Sequence, residues 1–133
     1  MNHIELGAKG EKLAQEYLKK RGYQILDTNF KCKFGEVDIV ATKDGEVSFV
    51  EVKTRSQELF GRPAEAVGFV KQRHIYKVAE FYILINHLKD VPISLDVIEV
   101  YIFNKSKPRV IHMRNAIIER PYMLRKGARY AHY

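Results

Sequence analysis

Apolar and polar positions along the chain follow two different periods. Between residues 5 and 21, Leu13, Ala14, Tyr17 and Leu18 recur at helical spacing, with Lys12, Gln15, Glu16, Lys19 and Lys20 elsewhere; Gly22 marks the end. Residues 23–30 (YQILDTNF), 32–41 (CKFGEVDIVA) and 46–54 (EVSFVEVKT) are instead rich in β-branched and aromatic residues and read as strands. Lys43-Asp44-Gly45 has the composition of a hairpin turn between the last two. A second helix is predicted from about residue 67 to 86, with Ile75, Val78, Ala79 and Tyr82 on its inward stripe. Residues 93–103 (ISLDVIEVYIF) are apolar on both faces, as a buried strand would be. Residues 104–108 then make a turn, and 109–114 a last strand. The predicted order is αβββαββ, an α+β fold in which helices flank a central mixed sheet.

Charges on the hairpin, residues 35–55, break the apolar pattern. Alternation places Glu36, Asp38 and Val40 on one face and Val37, Ile39 and Ala41 on the other. On the next strand Phe49, Glu51 and Lys53 share a face opposite Val50 and Val52. Asp38 can then meet Glu51 and Lys53 across the hairpin. Burying a lone charge is costly, so such a row calls for pairing or a cation. Two carboxylates and an amine suit hydrolysis assisted by Mg²⁺, which takes oxygen ligands and keeps several waters. The competing reading is a surface ion-pair ladder. Glu11 is a second anomaly: it lies on the inward stripe of the first helix, where an ion pair or a favourable place near the helix N-terminus also accounts for it. The glycines of GAKG, residues 7–10, are best explained by close packing against the sheet.

Length points to one domain, and no apolar run approaches the ~18 residues of a membrane span. The N-terminus lacks the apolar segment of a signal peptide, so a cytoplasmic chain with no membrane partner is expected. Cys32 is the sole cysteine, which rules out an internal disulfide and a cysteine zinc cluster; it reads as a bystander. The five histidines are scattered without ligand spacing, and neither a P-loop nor a G-x-S-x-G elbow occurs. Charge is uneven. From residue 104 onward eight Lys or Arg face Glu119 alone, so the whole formal charge of +7 lies there. That asymmetry suggests a polyanion, nucleic acid before an anionic surface, although basic tails also serve solubility. Arg55 and Arg62 flank a polar loop at 56–63 and could reach phosphates, as could Lys71, in line with Ile75, and Arg73, off that line. Arg114, Arg120, Arg125 and Lys126 supply further bases. Residues 117–133 form a basic tail with three tyrosines able to stack on nucleobases.

GEVDIVA followed by FVEVKTR resembles the signature of the PD-(D/E)XK nucleases. Together with GAKGEKLAQEYLKKRGYQIL, GRPAEAV and LDVIEV, it is similar above all to the YraN-type family of endonuclease-like proteins, and more distantly to archaeal Holliday-junction resolvases. Val37 stands where the superfamily motif has proline. The resemblance implies a restriction-endonuclease-like domain over residues 1–116 and a catalytic set of Glu11, Asp38, Glu51 and Lys53. Asp38, Glu51 and the Val52 carbonyl would hold Mg²⁺ or Mn²⁺. The expected activity is hydrolysis of DNA at branched or otherwise unusual structures. The alternatives are a nucleic-acid-binding module without turnover and a basic adaptor for a protein or RNA partner. A homodimer stays open, since junction resolvases act as dimers.

Overall fold

The computed structural model describes residues 2–56 and 69–117, with side chains left aside at 69–73. Seven elements follow in the predicted order: α1 (His3–Lys20), β1 (Gln24–Cys32), β2 (Gly35–Lys43), β3 (Glu46–Ser56), α2 (Phe69–Ile85), β4 (Ile93–Ile102) and β5 (Arg109–Met113). Helix α1 begins at His3 rather than at residue 5 because Asn2 and Glu5 form a reciprocal capping box. It ends where Gly22 takes a φ of +92° and the Tyr23 N–H bonds back to the Leu18 carbonyl.

The five strands lie in sequence order in one sheet. Strands β3 and β4 pair in parallel from Val47↔Ile93 to Ser56↔Ile102, and the segment containing α2 makes the crossover they require. The other neighbours are antiparallel. The sheet carries an apolar core on each face. Ala14 and Leu18 of α1 pack with Ile39, Ala41, Val50, Ile98 and Val100. On the opposite face Ile75, Val78, Ala79 and Tyr82 of α2 pack with Val37, Val40, Val47, Phe49, Leu95 and Val97. A sheet covered on both faces explains why β3 and β4 read as nearly continuous apolar runs. Among the described residues no helix is long and apolar enough to cross a membrane.

Polar groups inside this core are paired, as their burial demands. Ser48 and Ser94 bond across the parallel pair at 2.9 Å. Asp96, fully buried, meets His112 Nε2 at 2.8 Å and accepts the Asn115 N–H at 2.9 Å, tying β5 and the following turn to β4. It is a structural carboxylate.

Two expectations need correction. Val37 and Val40 share the α2-side core while Ile39 and Ala41 share the other, so β2 does not alternate evenly. Packing explains only one of the two GAKG glycines: a Cβ on Gly10 would fall 2.0 Å from Thr54 Oγ1, but one on Gly7 would meet nothing within 4 Å. At the end of the described residues Ile117 is buried, and its N–H bonds to the Leu95 carbonyl.

Candidate functional site

The break in β2 falls at Asp38. The β2–β3 ladder runs from Lys43↔Glu46 at the hairpin to Ile39↔Val50, and its regular pairs stop there. One step further, the Asp38 carboxylate accepts the Val52 backbone N–H at 2.7 Å. A carboxylate therefore occupies the seam where a backbone carbonyl would otherwise lie. In an antiparallel ladder a residue turns its N–H and C=O toward the same neighbouring strand, so the Val52 carbonyl also faces the Asp38 side. Strand β1 changes with β2. Thr28 pairs with Ile39 and Phe30 with Val37, and between them Asn29 has a left-handed φ of +51°. Phe30 consequently turns to the α2 side, 5.0 Å from the Tyr82 ring.

Helix α1 brings a second carboxylate to this seam. Gly10 allows the helix to touch Thr54 of β3, and Glu11 follows it, half-buried. The Glu11 carboxyl lies beside both Asp38 and the side chain of Asn29, close enough for each to act on it. Its carboxyl is pushed above its ordinary value, first by partial burial and then by the adjacent Asp38 charge; Glu36 adds a little, and the Asn29 side chain opposes.

Glu51 and Lys53 flank Val52 on β3. Phe49 packs in the α2-side core and Val50 and Val52 in the α1-side core, so Glu51 and Lys53 take the α2 side. Glu51 is 6% exposed. The anticipated meeting on one sheet face thus takes another form. Asp38 lies in the seam with Glu11 at its side, and the Glu51-Val52-Lys53 run passes beside it. Lys53 is the register partner of Glu99 on β4. The Glu99 carboxyl is held below its ordinary value by the Arg55 hydrogen bond, against its burial, with help from Tyr101 and the Lys53 charge. Arg55 meets Glu99 Oε2 at 2.8 Å and the Tyr101 hydroxyl donates to Oε1 at 2.9 Å.

Of the expected phosphate-binding bases, Arg55 is therefore engaged by Glu99 beside the seam. Arg114 pairs with Glu46 and approaches Asp96 at 4.0 Å. Glu46 opens β3, about 20 Å of strand from Val52, so Arg114 is not brought to the seam. Lys71 and Arg73 lie on α2 with their side chains outside the description, and Arg62, Arg120, Arg125 and Lys126 lie outside the described residues. Sequence reasoning missed Asn29 and Glu99. An asparagine inside YQILDTNF was the available signal for the first, because asparagine is depleted in strands. Glu99 gave a weaker one, a lone carboxylate in ISLDVIEVYIF beyond Asp96.

Among the described residues no three His, Cys, Asp or Glu side chains gather into a ready metal cage. The donor set nevertheless suits Mg²⁺ or Mn²⁺. Two carboxylates set side by side repel unless a proton or a cation lies between them, and Mg²⁺ commonly binds through one or two carboxylates plus water.

Comparison with known proteins sets this seam in a family. The sequence model of the uncharacterised protein family UPF0102 matches residues 10–100. The chain is 47% identical over 116 residues to a UPF0102 protein of Clostridioides difficile strain 630, covering 87% of this chain and 99% of that one. It is 46% identical over 119 residues to one from Caldanaerobacter subterraneus, covering 87% and 97%. For one from Caldicellulosiruptor saccharolyticus the identity is 49% over 107 residues, covering 80% and 91%. The matched span takes in Glu11, Asn29, Asp38, Glu51 and Lys53, and the chain belongs to UPF0102, the YraN-type family that its motifs resemble.

Proposed function

We propose that the chain is a metal-dependent nuclease of the PD-(D/E)XK type, hydrolysing phosphodiester bonds in DNA at branched or repair-type structures. The observation that carries this reading is the Glu11–Asp38 carboxylate pair set in the β2–β3 seam, beside Glu51-Val52-Lys53. A ladder of surface ion pairs would have no reason to press two acids together or to substitute one for a strand carbonyl. Asp38, Glu51 and the Val52 carbonyl would hold Mg²⁺ or Mn²⁺, with Glu11 steadying its waters. Bound there, the cation supplies an acidified water and offsets charge on a phosphoryl oxygen. The Lys53 ammonium, on the Glu51 side of β3, orients water or stabilises the anionic phosphate. Arg55 gives up part of its Glu99 contact to a phosphate, and the excess positive charge beyond residue 103 holds the polyanion through its backbone, without base readout.

A second reading, a nucleic-acid-binding module of the same fold without turnover, draws support from the absence of a three-ligand cluster among the described residues. Calorimetry separates the two. The nuclease reading expects Mn²⁺ to bind the native chain and to lose that binding in Asp38→Asn, alongside cleavage of at least one member of a panel of branched, nicked, flapped and single-stranded DNAs. Nucleic-acid binding with neither metal uptake nor cleavage leaves the binding module.

A further inference from the structure

Asn29 stands apart among the residues with left-handed backbone. Five other non-glycine residues have a positive φ: Asp44, His87, Asp90, Lys105 and Asn115. All five sit in turns between or after the regular elements, where such a conformation reverses the chain. Among the described residues Asn29 is the one inside a strand. The conformation is unfavourable for a residue bearing a Cβ and is tolerated best by glycine, then by asparagine and aspartate. A turnover serving the fold alone would be easiest with glycine.

Nor is the distortion an inserted residue. Register is the same on both sides of it, Thr28↔Ile39 and Phe30↔Val37, whereas the bulge in β1 lies elsewhere, between Ile25 and Asp27. Both strands turn over together at the Asn29 and Asp38 positions, and every pair beyond is kept. Two consequences meet at one place. On β2 the turnover frees Asp38 from the ladder and directs its carboxylate to the Val52 N–H. On β1 it leaves the Asn29 side chain exposed at the rim, beside Glu11. A glycine would permit the first consequence and lose the second.

We propose that Asn29 is a positioning residue for the Glu11–Asp38 pair: its left-handed backbone turns β1 and β2 over in step, and its amide holds Glu11 against the seam. The amide Nδ2–H donates to the Glu11 carboxylate, directing Glu11's remaining lone pairs toward Asp38 and the space beside it. The value of this arrangement to metal binding rests on the nuclease reading; the contact itself does not. Partners of this kind orient ligating carboxylates, and their loss typically costs 10–100-fold in metal affinity.

The test uses the full chain and three substitutions. Asn29→Gly keeps the left-handed backbone and deletes the amide. It should melt close to the native temperature yet bind Mn²⁺ about tenfold or more weakly by calorimetry. Asn29→Ala should lose stability as well, because alanine resists the conformation. The contact is read separately by NMR on the metal-free chain: the Asn29 side-chain amide protons should shift in Glu11→Ala. An unmoved Asn29 amide, or an Asn29→Gly chain that binds Mn²⁺ as the native chain does, would overturn the proposal. If the native chain takes up no Mn²⁺, the nuclease reading fails instead, and the amide shift still decides the contact.

Discussion

Glu11 links the chemistry of the seam to the stability of the fold. Its folded pKa lies above its ordinary value, so the folded chain holds that proton more tightly than the unfolded one. The stability gained is present at pH below the ordinary glutamate range and is lost as pH rises through the folded value. Glu11→Gln mimics the protonated acid: its amide donates to Asp38 and its oxygen accepts from Asn29. Without metal, this variant should therefore melt above the native chain at neutral pH, with the gap closing as pH falls through the raised folded value and gone once pH reaches the ordinary glutamate value of about 4. A gap that stays constant with pH would show that the two carboxylates do not share a proton. At this scale Glu11 and Asp38 were legible because acids set among apolar neighbours demand a partner. Asn29 was not. A left-handed residue within a strand leaves no mark on the apolar pattern, and asparagine alone does not announce it.

All seven elements were readable from period and composition, since a helix and a strand bury their side chains at different intervals. The faces were less so. Strict alternation assumes an unbroken strand, and the turnover at Asp38 exchanges the two faces of β2 partway along. The close approach of α1 to β3 is a feature of the elements, and it rests on Gly10. Gly10→Ala gains helix propensity of about 1 kcal/mol but drives a methyl into Thr54. Overpacking of this kind costs about 1–3 kcal/mol, so the variant should be no more stable than the native chain and should displace Glu11 from the seam. Adding Thr54→Ala, which removes the hydroxyl nearest that methyl, should recover much of the loss in thermal melts. A Gly10→Ala chain that melts well above native would show that α1 has room to spare.

For the molecule as a whole, the sheet is capped on both faces while the net charge of +7 is gathered beyond residue 103. Cations neutralising phosphates release condensed counterions, so nucleic-acid affinity should fall steeply with salt. Truncation should begin at residue 118, because Ile117 belongs to the core. Removing 118–133 should weaken binding evenly across sequences and flatten the salt slope; an unchanged slope would make those residues a solubility device. Arg114 contributes less to this surface than its sequence position implied, being drawn to Glu46 and Asp96 by packing that no charge count reveals.

The central claim is that the seam carboxylates serve catalysis. Asp38→Asn is the substitution to use. An asparagine oxygen still accepts the Val52 N–H, whereas alanine would strand that partly buried donor at a cost of about 1–3 kcal/mol and confuse folding with chemistry. The measurement is Mg²⁺-dependent nicking of a panel of branched, flapped and nicked DNAs by the native chain and Asp38→Asn, with both folds checked by circular dichroism. The account predicts cleavage by the native chain on at least one structure and its loss in Asp38→Asn, with metal-free DNA binding retained or tightened. Equal cleavage by the two chains would contradict it.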